Sequence, residues 1–262
     1  MNAAAGQALN AKLYAIPGSH PSMTVRRMLE LKGIPYRRVD LMPVISRGVL
    51  RALRFPSNTV PSLTIAGTKL TGSRTIAREL DRIRPEPPLY PPEPESRVTV
   101  EEAELWGDET LQAPVRRILW NAIQRNRAVL ASYAEGARLG IPIGVAVKTA
   151  APIVAAARRM NAAGDDAVRA DLAALPGWLK QVDDWIGEGV LGSESPNAAD
   201  LQIAASLRLA MTLDDLKPAL ASRPAGELAL RAIPDFPGHA PPVLPPAWLE
   251  PLRQSEPAST AR

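Results

Sequence analysis

Six prolines within ten residues divide this chain. The stretch 85–94, PEPPLYPPEP, suits neither a helix interior nor a central strand. Proline lacks the backbone N–H that both need, and its ring blocks the preceding helical turn. The stretch therefore reads as a stiff linker, and the sequence differs in kind on its two sides. The expected organisation is a flexible N-terminus over 1–11, a first domain over 12–84, the linker over 85–95, a helical domain over 96–250 and a flexible tail over 251–262.

Before the linker, strand and helix patterns alternate. Leu13, Tyr14, Ala15 and Ile16 suit a buried strand that Pro17-Gly18 ends. Pro21 fits the first turn of a helix. Val25, Met28, Leu29 and the stem of Lys32 then recur at three- and four-residue spacing, and Gly33 is a good stop. Val39 and Leu41 alternate with Arg38 and Asp40 in a half-buried strand, which completes a βαβ unit with a parallel pair. Residues 43–53 read as a loop with a short helix. Leu63 and Ile65 alternate, Ala66-Gly67 turns the chain, and Thr68–Thr71 returns as a hairpin strand. Ser73 reads as the N-cap of a helix over Thr75–Arg84, with Ile76, Leu80 and Ile83 on one face.

After the linker the pattern is helical. Ser96 is expected to cap a helix holding Val98, Leu105 and Trp106, and Val115, Ile118, Leu119, Ala122 and Ile123 belong to another. Leu172, Leu175, Leu179, Val182 and Ile186 step by 3, 4, 3 and 4, with Pro176 beginning or kinking their helix. Asn197 and Asp200 form a capping-box-like start, with Asp in place of Glu. Residues 234–246, PDFPGHAPPVLPP, are expected to wrap the surface without regular structure.

Bulk properties exclude several functions. The net charge is +4, but Lys and Arg are dispersed among acids, which argues against a nucleic-acid face. There is no cysteine, so disulfides, thiolate metal sites and a protein-supplied thiol are all ruled out; no metal site is expected. The start MNAAAGQALNAK lacks the basic and apolar regions of a signal peptide, which makes the cytoplasm the expected location. Residues 139–157 are almost continuously apolar, but Lys148, Pro142 and Pro152 interrupt them. A membrane helix needs about 20 apolar residues. A buried or pocket-lining helix is the expected reading, with membrane contact as its rival.

A helix N-terminus gathers free N–H groups and partial positive charge, so the start of the first helix favours an anion. Ser19, His20 and Ser22 lie there. Ser19 is either a plain helix cap or a reactive-site hydroxyl, and Ser22 is a rival hydroxyl. His20 reads as an exposed turn residue or a substrate contact. Arg26 and Arg27 read as a solvated face, and Asn197 and Asp200 as structural caps.

Four segments, LYAIPGSHPSMTVRRMLELKGIPY, SNTVPSL, GSRTIARELDRIRPEPPLYP and SPNAADLQIA, occur in this order. With them the chain resembles the soluble, serine-type glutathione S-transferase superfamily. The resemblance implies an α/β thioredoxin-like N-terminal domain followed by an all-α helical bundle. It implies that the Ser19 hydroxyl stabilises a glutathione thiolate and that the Val60 backbone pairs with the cysteinyl part. It also makes Pro61 a cis proline and gives Ser73, at a helix start, the γ-glutamyl carboxylate. Thr59 stands where a long polar residue is frequent, and Gly72 where Glu or Asp usually receives the ligand's amino group.

The implied activity is transfer of glutathione, or a related low-molecular-weight thiol, to a hydrophobic electrophile, as in detoxification. The thiol is a cosubstrate, no cofactor stays bound, and a homodimer is implied. A non-catalytic binding protein for a hydrophobic ligand and a membrane-surface isomerase are the alternatives, the latter lacking its cysteine motif. Energetically the thiol reading is coherent. Lowering a thiol pKa from about 8.5 by about two units takes about 2.7 kcal/mol. A hydrogen bond to a charged group supplies about 1.5–3 kcal/mol and a helix N-terminus about 0.3–1.

Overall fold

The computed structural model describes residues 9–43, 45–138, 144 and 148–254. The first part holds β1 (Ala11–Ala15), α1 (His20–Leu31), β2 (Tyr36–Asp40), α2 (Ile45–Ala52), β3 (Ser62–Ile65), β4 (Thr68–Thr71) and α3 (Ser73–Ile83). The strands form one sheet in the order β2-β1-β3-β4. β1 and β2 are parallel, as the βαβ pattern requires, while β1 pairs antiparallel with β3 and β3 with β4. This is a thioredoxin-like layer. Its core is supplied by the periodic residues: Leu13, Val25, Met28, Leu29, Leu63, Ile65, Ile76 and Leu80 are all sealed from solvent. A smaller cluster of Tyr14, Leu41, Leu50 and Phe55 fills the other face.

The second part is helical: α4 (Pro94–Trp106), α5 (Gln112–Arg125), α6 (Leu130–Tyr133), α7 (Ala151–Met160), α8 (Asp165–Gly187), α9 (Ala198–Ala210), α10 (Lys217–Ala221), α11 (Pro224–Ala232) and α12 (Glu250–Gln254). A π-helical turn, Gly107–Leu111, joins α4 to α5. Gly107 is required there, since a Cβ would lie 2.8 Å from Ile203 of α9. Helix α9 is buried on nearly every side. It starts with the full reciprocal capping box of Asn197 and Asp200.

Several local expectations shift. Gly72, at φ 90°, is the cap residue of α3, and Ser73 is already its first residue. Pro94, the linker's last proline, begins α4 because a first-turn proline has no N–H to lose. Ser96 therefore lies inside that helix, and Val98 is 55% exposed instead of facing the core. Pro176 lies in the interior of α8. Arg26 and Arg27 are half-buried: Arg26 donates to the Tyr36 hydroxyl at 3.2 Å and Arg27 to the Ala232 carbonyl at 3.1 Å. Residues 234–245 are irregular as expected, whereas Pro246 opens a short 3-10 turn, Pro246–Trp248, and Ala240 bonds to the backbone of Thr212 and Asp214 and is buried. Of the apolar segment 139–157, residues 139–143 and 145–147 lie outside the described residues. Its last part forms the start of α7, which buries Val154 and Ala157. Among the described residues, no helix is long and apolar enough to cross a membrane.

The two parts share one continuous core. Linker residues Leu89 and Tyr90 are buried, and the Leu89 carbonyl accepts from Ala198 N at 2.8 Å. Helix α1 lies directly on α9, where Thr24 Oγ1 donates to the Leu201 carbonyl at 3.2 Å. This contact fixes the N-terminal end of α1 against the helical part.

Candidate functional site

The turn between β1 and α1 is built on Gly18. Its φ of +71° lies in the left-handed region, and a Cβ would stand 3.2 Å from the Tyr133 ring. The turn carries Ser19 and the start of α1 to a cavity of about 340 Å³. The same cavity is lined by Thr59 and Val60 from the segment before β3, and by Arg116, Trp120 and Tyr133 from the helical part. It therefore lies where the two parts meet, and most of its wall is apolar.

Ser19 is the N-cap residue of α1 but makes no capping bond with its side chain. Its hydroxyl instead accepts from Ser22 Oγ at 3.1 Å, which leaves the Ser19 proton free to be donated elsewhere. Ser22 is buried behind it and faces a second cavity on the far side of the turn. The two rival hydroxyls thus form a pair in which only Ser19 reaches the first cavity.

His20 corrects the expectation of an exposed turn residue. It is 2% exposed, because α9 covers the start of α1, and its Nδ1 lies 3.1 Å from Ser206 Oγ. Nε2 is buried with no hydrogen-bond partner among the described residues. Burial, and then the charge of Arg116, hold the imidazole well below its ordinary pKa, so it is neutral near pH 7.

The remaining sequence-derived positions are adjacent but not all convergent. The Val60-Pro61 peptide bond is cis. Thr59 is exposed, and its carbonyl accepts from Ser62 Oγ at 2.9 Å. The Pro61 carbonyl accepts from Gly72 N at 3.0 Å, which ties this segment to the start of α3. Ser73, buried at that start, is not part of the cavity wall. The structure therefore brings Ser19, His20, Thr59 and Val60 to one cavity, with Pro61 and Ser73 beside it.

Three wall residues escaped the sequence reading. Tyr133 packs its ring on Gly18, and its hydroxyl lies 2.7 Å from Thr212 Oγ1, with burial pushing its pKa up to about 12. Trp120 and Arg116 sit on α5 with Leu119 and Ile123, at helical spacing along the cavity face. A charged residue on that mostly apolar stripe was the available signal. Among the described residues, no cluster of His, Asp or Glu could hold a metal ion.

Residues 13–88 match the family described as glutathione S-transferase, N-terminal domain. The fold of the whole chain is similar to a Tau class glutathione S-transferase from mango, Mangifera indica: TM-score 0.59, 14% identity, 95% of this chain and 93% of that one covered. A glutathione S-transferase from Rhodospirillum rubrum F11 gives a TM-score of 0.54 at 18% identity, covering 92% and 99%. The beta-etherase LigF from Sphingobium sp. strain SYK-6 gives 0.55 at 16% identity, covering 85% and 99%. No curated protein matches the sequence.

Proposed function

We propose that this chain, a protein of the glutathione S-transferase fold whose residues 13–88 are that family's N-terminal domain, joins a low-molecular-weight thiol to a hydrophobic electrophile. The thiol is glutathione or a relative of it. The observation that carries this reading is Ser19. Ser19 lines the cavity, and its hydroxyl is not spent on capping α1 and receives a hydrogen bond from Ser22. In this reading the thiol proton leaves to water, and the Ser19 O–H donates to the thiolate sulfur. The sulfur lone pair then attacks the electrophilic carbon: the C–S bond forms and the leaving group departs with its electrons. Ser22, donating into the Ser19 oxygen, makes the Ser19 proton a better donor.

Val60, just outside the β3 ladder, supplies backbone groups for the peptide part of the thiol, and Thr59 lies beside it. Ser73 and the start of α3 take the thiol's carboxylate by the anion rule for helix starts. The apolar helices α5 to α7 hold the electrophile. The homodimer, the cytoplasmic location and a role in detoxification, which the resemblance implies, belong to the same reading.

The test is binding and turnover with a panel of thiols and 1-chloro-2,4-dinitrobenzene, on wild type and Ser19→Ala. Losing one hydrogen bond to a charged group, about 1.5–3 kcal/mol, should lower thiol-dependent kcat/KM about 10- to 100-fold. Turnover that survives Ser19→Ala unchanged overturns the role of Ser19. Gly72, in place of a carboxylate for the ligand's amino group, favours a second reading as a non-catalytic binding protein. Failure to bind any thiol would select it.

A further inference from the structure

We propose that the hydrophobic ligand of this cavity carries a carboxylate, and that Arg116 pairs with it. This deepens the proposed function by naming the class of the second substrate, and rests on it for that ligand being an electrophile. The argument starts from two adjacent guanidiniums on α5. Arg117 is matched in full, donating to both carboxylate oxygens of Asp171 at 2.7 and 2.8 Å. Arg116 has no carboxylate within ion-pair distance among the described residues. Among the described residues it donates only to neutral amides, Asn161 Oδ1 at 2.8 Å and Gln112 Oε1 at 3.3 Å.

Removing a guanidinium from water without a counter-ion is costly, and amide dipoles offset only part of that cost. Burial in this wall accordingly makes the charged form of Arg116 harder to hold than usual. The acid that acts on it electrostatically, Asp108, is committed elsewhere: its Oδ1 accepts from Gln112 Nε2 and from Gln202 Nε2. Asp108, Gln112 and Arg116, at four-residue spacing, form a chain of hydrogen bonds that orients the guanidinium without neutralising it. Arg116 is a cavity residue, and no protein hydrogen bond among the described residues engages its second terminal nitrogen. The cavity thus offers an unneutralised planar cation beside Leu119, Trp120 and Ile123. A guanidinium fork matches a carboxylate, and the apolar wall matches an aromatic body of one or two rings.

Calorimetric titration of the full chain with biphenyl-4-carboxylate and with 4-biphenylmethanol tests this without turnover. The carboxylate is expected to bind about tenfold or more tightly, the worth of one charge-assisted hydrogen bond. Arg116→Gln should abolish that preference and leave the alcohol within about twofold, while Arg116→Lys should keep part of it. Equal binding of the two ligands to wild type overturns the proposal. So does a preference that survives Arg116→Gln, or an equal loss of both ligands in that variant. If Arg116→Gln does not fold, the wild-type chain still decides. Biphenyl-4-carboxylate, and not the alcohol, should protect Arg116 from phenylglyoxal, as read by mass spectrometry; equal protection or none overturns the assignment. Failure of thiol-dependent turnover leaves these outcomes unchanged and counts only against the thiol reading.

Discussion

The two ends of α1 treat polar atoms in opposite ways. At the C-terminal end, Lys32 is buried and its Nζ donates to Asp81 Oδ1 at 2.6 Å and to the carbonyls of Arg84, Pro85 and Pro87 at 2.7, 3.0 and 2.6 Å. Nothing of that ammonium is left for a ligand. At the N-terminal end, Ser19 declines to cap its own helix and His20 Nε2 is buried without a partner among the described residues. Both ends are built into the same core, so burial does not distinguish structure from function here. Saturation does. Where the fold satisfies a buried polar group completely, the group holds elements together; where it leaves one open against a cavity, the group is available to a ligand.

Lys32→Met should therefore produce the largest stability effect. It removes one partner from a buried ion pair and strands three carbonyls, a loss of about 3–5 kcal/mol. Urea unfolding should show this, while the folded variant keeps its affinity for cavity ligands. A variant that loses stability by less than about 1 kcal/mol would break the comparison at its saturated end.

His20 gives the next effect, through pH. Its folded pKa lies well below the 6.5 of the free side chain, so between those values the unfolded chain binds a proton that the folded chain refuses. Stability from this group is complete above pH 6.5 and falls as pH drops towards the folded pKa, by up to about 1.4 kcal/mol per pH unit. Glu104, Asp108 and Asp200 have pKa values raised by burial and act in the opposite sense, so a difference measurement isolates the histidine. Between pH 7.5 and 5.5, urea melts of wild type should lose stability that those of His20→Asn keep. Parallel pH profiles would place His20 among the saturated groups.

These two ends were not equally legible in the sequence. The sheet, the span of α1 and the Asn197–Asp200 cap follow from local periodicity and local capping chemistry, which a few neighbouring residues determine. Lys32 was readable as part of an apolar face, because its stem is what packs; its four acceptors come from α3 and the linker, some 50 residues away. The burial of His20 was not readable, since its partner Ser206, on α9, lies 186 residues on. Arg116 was within reach: it shares a helical stripe with Leu119, Trp120 and Ile123, and a charge on such a stripe is informative. The sequence does not tell Arg116 from its neighbour Arg117, because only the tertiary fold gives one of the pair a carboxylate. The start of α3 was misplaced for a smaller reason: Ser is a common cap, yet Gly72 at φ 90° already supplies the turn.

The smallest effect compares two helix caps directly. Asn197 Oδ1 accepts from Asp200 N at 2.9 Å, and Asn197 N donates in return to Asp200 Oδ2 at 2.8 Å. Ser19 occupies the same cap position on α1, but its side chain accepts from no backbone N–H of that helix, only from the Ser22 hydroxyl at 3.1 Å. Asn197→Ala should then lower stability by about 1 kcal/mol, and Ser19→Ala, compared in a Ser22→Ala background where no buried hydroxyl loses its acceptor, by a few tenths at most. Ligand binding should show the reverse ranking: Asn197→Ala leaves thiol affinity unchanged, and Ser19→Ala weakens the thiolate. Thermal unfolding and a thiol pH titration on both variants separate the two quantities. If Ser19→Ala destabilised the fold as much as Asn197→Ala, its hydroxyl would be a structural cap after all. An unspent hydroxyl at a helix start is therefore distinguishable from a spent one by measurement, and this difference is what the proposed role of Ser19 stands or falls on.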